Sequence, residues 1–330
     1  KLVPIPQAIG MTAQKIDAGR LHGPGRIRAP LTRRVTLGAW TWTSPILLFL
    51  IGLVLFCAAA CAPLPGPEER RTTTHRLAAA RGWQRLDLAA PPFVLAAFLP
   101  SSLAQGGAAD RILTVYLEGD GLAWLSATRR CSDPTPLTPM ALLLAQADPG
   151  PAVALARPCQ YGTLAAGGCD SRYWTSHRFA PEVIAATSLA VSRLKELSGA
   201  GGLRLAGYSG GAAVAALVAA ERDDVRELIT VAGNLDHVAW TRLHRLTPLH
   251  GSLNPLAVAP TLSRLPQRHF VGSEDTIIPE RVARGFLDAQ GSGACVSLQV
   301  VAGADHSRGW VERWPDLLRS SVPCGMKNAE

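Results

Sequence analysis

Gly207-Tyr208-Ser209-Gly210-Gly211 is the stretch that most restricts what this chain can become. It fits the pattern G-x-S-x-G, a sharp turn that lifts a serine off the end of a strand and feeds into a helix. The flanks agree. Leu203, Leu205 and Ala206 lead in as a short apolar strand, and Ala212 to Ala220 lead out as an Ala/Val-rich helix. Glycine at 207 and 211 lets strand and helix approach where a Cβ would clash. The serine between them is expected in a strained backbone region, and such strain persists only where its surroundings enforce it. A Gly-rich turn with an incidental serine satisfies the same five residues, so the context has to decide.

Strand and helix signals alternate through the rest of the chain. Trp83 to Leu88 and Phe93 to Phe98 read as strands joined at Pro91-Pro92, and Ile112 to Leu117 as a third, rich in branched residues. A helix over Thr138 to Ala147 and a strand over Ala152 to Ala156 follow. Pro181 to Leu197 reads as a helix, with proline in its first turn and Gly199 just past its end. Beyond the serine turn come strands at Glu227 to Val231, His269 to Gly272 and Val296 to Val301, with helices at Pro279 to Ala289 and Trp310 to Ser320. Short apolar strands alternating with helices predict an α/β fold, a mostly parallel sheet covered on both faces. The stretch 234–266 breaks the alternation with Pro248, Pro255 and Pro260 and is expected to be a short cap insertion. Its His237, His244 and His250 read as polar loop residues rather than metal ligands.

The first 61 residues differ in kind. They carry seven Lys/Arg and one acid, which accounts for six of the eight net positive charges. The remainder is nearly balanced, without a basic cluster interleaved with aromatics, so a nucleic-acid partner is not expected. Arg26, Arg28, Arg33 and Arg34 precede an apolar run from Ile46 to Phe56, then Ala58-Ala59-Ala60-Cys61. That is the order of an export leader. The ending resembles a bacterial lipobox, which implies lipidation of Cys61, although Ala58 stands where such boxes usually have Leu. Cleavage by ordinary signal peptidase and retention as a membrane anchor are the alternatives; the run is short beside the roughly 20 residues of a spanning helix. The chain opens on Lys1 rather than Met, and residues 1–30 read as a candidate misplaced gene start.

Residues 62–82, with Pro63, Pro65 and Pro67, are expected to be a flexible tether, followed by one domain over 83–324 and a tail at 325–330. The expected location is the bacterial cell envelope, periplasmic or membrane-anchored. An oxidising compartment permits disulfides. Cys159 and Cys169 flank a Gly-rich loop and are one expected pair; Cys295 and Cys324 bracket the last strand and helix and are the second. Cys131 is left over. No His/Cys spacing suits zinc, and neither a metal nor another cofactor is expected.

A serine hydroxyl needs a base within hydrogen-bond reach, and the base needs a group to hold its tautomer. Both follow predicted strands, in the order Ser, Asp, His. Asp275 lies in Gly272-Ser273-Glu274-Asp275-Thr276-Ile277-Ile278-Pro279, and His306 in Gly303-Ala304-Asp305-His306. Asp236 and Asp305 are rival acids; Asp275 is preferred. Asp275 before Pro279 also suits a helix cap, and His306 a surface loop.

On these three motifs the chain resembles an α/β-hydrolase over about residues 83–320. The resemblance implies Ser209 as nucleophile, His306 as general base and Asp275 as orienting carboxylate. It implies an oxyanion hole from the Gly210 N–H and a second N–H in Tyr116-Leu117-Glu118-Gly119-Asp120-Gly121, with Asp120 or Gly119 as the donor. Glu118-Gly119 stands where the family often has His-Gly. Tyr208, Trp124 and Trp240 are candidate pocket walls, as are Tyr173 and Trp174. The expectation is an exported carboxylic-ester hydrolase acting on a small acyl substrate. A thioesterase, a peptidase or a non-catalytic envelope scaffold are the alternatives.

Overall fold

The computed structural model describes residues 64–103 and 111–321. The described residues form an eight-stranded sheet in the order β1-β2-β4-β3-β5-β6-β7-β8. The strands are β1 (Trp83–Ala90), β2 (Phe93–Pro100), β3 (Ile112–Leu117), β4 (Ala152–Leu155), β5 (Gly202–Tyr208), β6 (Val225–Val231), β7 (Gln267–Gly272) and β8 (Val296–Val301). β1 and β2 make an antiparallel hairpin, and β2 runs antiparallel to β4. All pairings from β4 through β3 to β8 are parallel. Parallel neighbours need crossovers, and the crossovers cover both faces, which is why the central strands are apolar on both sides.

Alternate side chains feed two cores. Leu203, Leu205 and Leu228 join the core on the side of α3 (Pro181–Ser198) and α4 (Gly210–Ala220). Ala206, Ile229 and Phe270 join the other, with α2 (Met140–Ala147), Trp310 and Trp314. Helix α4 is buried from Gly210 to Ala219, so small residues all round let it lie close to the sheet at its centre. Helix α3 starts at Pro181 and stops at Gly199, whose φ of 65° is the left-handed cap geometry that favours glycine.

The stretch expected at 234–266 is the β6–β7 crossover itself. It holds α5 (His237–Leu243) and a 3-10 run over Pro255–Leu262, and its Leu235, Trp240, Leu249, Ala259 and Leu262 belong to the core around α4. The crossover from β7 to β8 is α6 (Glu280–Asp288).

Two expectations need correction. Residues 67–79 are not a flexible tether but helix α1 (Pro67–Ala79). Proline at the first helical position costs no hydrogen bond, and Glu68, Glu69 and Arg76 complement the helix dipole at the two ends. The helix is anchored by Arg70, buried, whose guanidinium donates to the carbonyls of Thr135 and Asp133. The last helix is also shorter than Trp310 to Ser320: a 3-10 turn at Val311–Arg313 precedes α7 (Trp314–Leu317). Pro315 has no N–H to continue a helix from upstream, so the helix restarts there.

The leader's apolar run, Cys61 and Cys324 lie outside the described residues. Among the described residues no helix is long and apolar enough to cross a membrane.

Trp310 and Trp314 are fully buried, and the Trp314 indole N–H donates to the Tyr116 hydroxyl at 2.8 Å. Trp314→Ala is expected to cost about 3–5 kcal/mol, read as a lowered urea midpoint.

Candidate active site

The serine turn sits where the sheet is most constrained, at the end of the central strand β5. Ser209 has φ 53° and ψ −119°, the left-handed side of the map that a side chain rarely occupies. Its backbone is held from three directions. The Ser209 N–H donates to the Val231 carbonyl at 2.9 Å, and its own carbonyl accepts from Asn234 and Ala212. A Cβ on Gly207 would overlap the Gly211 carbonyl and the Ala212 backbone. One on Gly211 would overlap the carbonyls of Leu117 and Glu118. Both glycines are therefore required by close approach.

Three side chains from three strand ends meet here. The Ser209 Oγ lies 3.0 Å from His306 Nε2, and His306 Nδ1 lies 2.9 Å from Asp275 Oδ2. An ionised carboxylate only accepts, so Nδ1 carries the proton toward Asp275 and Nε2 is left to accept the serine hydroxyl. The Asp275 side chain is fully buried, and its other oxygen accepts the Ile277 and Ile278 N–H groups at 2.8 Å each. The turns after β7 and β8 are joined: a Cβ on Gly272 would overlap the Ala304 carbonyl, and the Glu274 N–H donates to that carbonyl at 2.9 Å. The Tyr208 hydroxyl donates to the His306 carbonyl at 2.8 Å, which fixes the backbone beneath the ring.

The rival acids have other work. Asp236 caps α5, accepting the Val238 and Ala239 N–H groups and the Asn254 amide. Asp305 closes its own turn on Ser307 and Arg308.

The loop after β3 lies against the serine. A Cβ on Gly119 would stand 3.5 Å from the Ser209 Cβ, and one on Gly210 would overlap the Asp120 carboxylate. The Gly119 N–H is turned to the Glu118 Oε1 at 2.9 Å, which removes Gly119 as a candidate donor toward a substrate. The Asp120 N–H has no partner among the described residues. Gly210 opens α4, so its N–H has no carbonyl a turn earlier in the helix to bond.

Two acids flank this space, and neither is a bare negative charge facing it. Glu118 is buried beneath the loop, where it also accepts the Ala141 N–H and the Tyr161 hydroxyl. Burial raises its pKa to about 7. Asp120 is clamped by Arg178 Nη1 at 2.7 Å and Arg157 Nη1 at 3.2 Å. Burial pushes its carboxyl up, but the two guanidiniums outweigh that and hold it below the usual range. Two guanidiniums on one carboxylate leave the cluster with a net positive charge.

The candidate pocket walls separate. Tyr208 stands beside the serine, its ring 5.4 Å from that of His306. Trp124 is 40% exposed in the loop beyond Gly121. Trp240 is buried in the core, and its indole N–H donates to the Ile277 carbonyl at 3.0 Å, as does His244 Nε2 at 2.8 Å. It braces the turn that holds Asp275 instead of lining an open surface. Tyr173 and Trp174 are also core residues, bonded to Glu182 and to the Cys131 carbonyl. His237 is buried against Phe179, apart from His244 in its bonding.

Cys159 and Cys169 are disulfide-bonded, with Cα atoms 5.7 Å apart. Cys131 is a buried thiol beside the Asp133 carbonyl. The residues that sequence reasoning missed are Arg157, Gln160 and Arg178. Arg157 and Gln160 directly follow β4, at the carboxyl edge of the sheet where open α/β folds place their sites, and that position was the available signal.

No protein-family model matches the chain, and no curated protein matches it in sequence. Solved structures do match in shape. Puromycin hydrolase superposes with a TM-score of 0.51 at 18% identity, over 72% of this chain and 37% of that one. An acylaminoacyl peptidase gives 0.51 at 12% identity, over 72% and 40%. The esterase Pf2001 of Pyrococcus furiosus gives 0.50 at 15% identity, over 72% and 91%. This chain has the α/β-hydrolase fold. It spans well under half of the first two proteins and most of the esterase. In that fold the serine turn lies between β5 and α4.

Asp236→Ala is expected to lose about 0.5–2 kcal/mol as a missing helix cap, seen in urea denaturation, with the Ser209–His306–Asp275 chain untouched. Glu118 gives a second test. Its folded pKa is raised from 4.5 to about 7. The stability contributed by the neutral carboxyl is therefore full below about pH 4.5 and is lost as pH rises through about 7. Glu118→Gln is expected to flatten that part of the pH dependence of the urea midpoint.

Proposed function

We propose that this chain is a serine hydrolase that transfers an acyl group to water, with a carboxylic ester as its substrate class. The observation that carries the reading is the continuous hydrogen-bonded chain from Ser209 Oγ through His306 to the buried Asp275. Incidental serine, histidine and aspartate have no reason to converge from three strand ends at 3.0 and 2.9 Å.

The steps follow from the geometry. His306 Nε2 takes the Ser209 hydroxyl proton as Oγ attacks the substrate carbonyl. Asp275 stabilises the imidazolium and holds its tautomer. The carbonyl oxygen becomes an oxyanion, and the N–H groups of Gly210 and Asp120 are its proposed donors. His306 then protonates the departing alcohol. Water enters, His306 takes its proton, and attack on the acyl-enzyme releases the acid and restores Ser209.

The ester assignment rests on a neighbour of which this chain spans 91%, an esterase. The two longer neighbours, a puromycin hydrolase and an acylaminoacyl peptidase, make an amide the competing substrate. Export through the basic and apolar leader, with lipidation at Cys61, completes the proposal.

A fluorophosphonate probe should label the folded protein at one site and fail to label Ser209→Ala. Asp275→Ala is expected to lower kcat on p-nitrophenyl butyrate by about 10⁴-fold, the scale for losing a triad carboxylate. No labelling of the folded protein, or equal labelling of Ser209→Ala, would reject the reading in favour of a non-catalytic scaffold. A matched amide series hydrolysed faster than the esters would move the substrate class.

A further inference from the structure

The segment after β4, Arg157-Pro158-Cys159-Gln160-Tyr161, reaches three consecutive residues of the loop after β3. Tyr161 donates its hydroxyl to Glu118 Oε2 at 3.2 Å. Gln160 donates Nε2 to the Gly119 carbonyl at 2.9 Å. Arg157 donates Nη1 to Asp120 Oδ1 at 3.2 Å.

The segment is itself held. The Gln160 Oε1 accepts the Arg157 N–H at 3.1 Å, so both ends of its amide are engaged. The Tyr161 N–H donates to Thr135 Oγ1 at 2.7 Å. Cys159, bonded to Cys169, has φ 71° and Tyr161 has φ 55°, left-handed values carried by residues with side chains. Backbone strain of this kind persists where its surroundings over-determine it, and it clusters at functional sites. Gln160 is 1% exposed and fills the space beside Gly121, where a Cβ would come within 2.9 Å of its Nε2.

The bond from Gln160 has a directional consequence. The Gly119 carbonyl and the Asp120 N–H belong to one peptide plane, and in a trans peptide they point opposite ways. With the carbonyl tied to Gln160, the Asp120 N–H faces away from Gln160. The preceding N–H, that of Gly119, is already committed to Glu118. The Asp120 N–H is left without a partner among the described residues and with a defined direction, in a loop whose Gly119 packs on Ser209.

We propose that Gln160 is a positioning residue for the oxyanion hole: it orients the Gly119–Asp120 peptide so that the Asp120 N–H meets the oxyanion formed at Ser209. The assignment rests on the serine-hydrolase reading above. Gln160 touches no substrate and acts through the peptide it holds. Donors aimed in advance at developing charge act in the transition state more than in the ground state. Losing the orientation should therefore lower kcat and leave KM nearly unchanged.

The test compares the full chain with Ser209→Ala, Gln160→Met and Gln160→Glu on p-nitrophenyl butyrate and against an alkyl trifluoromethyl ketone. The ketone adds to the serine and carries the same oxyanion. Gln160→Met removes the donor at similar size. Gln160→Glu keeps the acceptor for Arg157 but puts a carboxylate against the Gly119 carbonyl. Both are expected to lower kcat by about 10- to 100-fold, somewhat under the loss of a whole donor, with KM within about twofold. Affinity for the ketone should fall in step with kcat/KM. A folded variant with unchanged kcat, a loss confined to KM, or a ketone affinity that does not follow kcat/KM overturns the proposal. Failure of both variants to fold also overturns it, since Gln160 would then serve the fold alone. If the unsubstituted chain neither hydrolyses the ester nor labels at Ser209, the hydrolase reading fails first. If it does both and the Gln160 variants match it, only the Gln160 assignment fails.

Discussion

Gly211 has no room for a side chain, and the site is arranged around that fact. The carbonyls of Leu117 and Glu118, at the end of β3, occupy the place of its Cβ. Helix α4 thus begins in backbone contact with the loop that follows β3, and Ser209 is carried on the turn immediately before it. One close approach sets Ser209 and the loop after β3 side by side. The same approach forces Ser209 to φ 53°, since the chain must reverse from strand to helix within two residues. That conformation is costly for a serine. It is tolerated because the flanking strands β3 and β6 and the Val231, Asn234 and Ala212 contacts leave the turn no alternative.

A carboxylate-rich loop packed against Ser209 poses an electrostatic problem, which two different devices resolve. Glu118 is taken inside, hydrogen-bonded to two N–H groups and a phenol, and its ionisation is deferred to about pH 7 by burial. Asp120 stays ionised but shares two arginines, which are themselves held, although Arg157 Nε has no partner among the described residues. Arg157 stacks on Phe179 and Arg178 on Trp240, with further donors spent on the Arg178 and Thr175 carbonyls. A buried carboxylate is tolerable only when paired and hydrogen-bonded. Removing either arginine would leave Asp120 partly uncompensated beside Gly210, whereas the intact cluster carries a net positive charge.

The α/β alternation, the serine turn and the order Ser, Asp, His were all legible, because each depends on local pattern: apolar runs, paired glycines, and polar residues just after strands. Asp275 was preferred over Asp236 for its place just after a predicted strand; that Asp236 caps a helix became visible only in the structure. What local pattern could not convey was long-range partnering. Nothing about Gln160 in the sequence says that its amide will meet the Gly119 carbonyl 41 residues away. Trp240 looked like a pocket wall because indoles often are, yet its N–H found the Ile277 carbonyl across the crossover. Residues 67–79 misled in the other direction. Pro67 and the charges after it read as linker composition, but a proline at the first helical position and acids in the first turn are also how helices begin.

The two halves of the relay are supported by unequal means, and the difference is physical. Asp275 and His306 sit on turns that bond to each other through Gly272, Glu274 and Ala304, so the acid–base pair is a property of adjacent strands β7 and β8. Ser209 lies two strands away, separated from them by β6. The Tyr208 hydroxyl, from the last residue of β5, reaches across to the His306 carbonyl. Among the described residues, Tyr208 is thus a direct side-chain tie, beside the Ser209–His306 bond, between the serine turn and His306. A partly buried ring beside His306, its hydroxyl pushed well above the usual tyrosine range by desolvation, makes that tie without adding charge beside the imidazole.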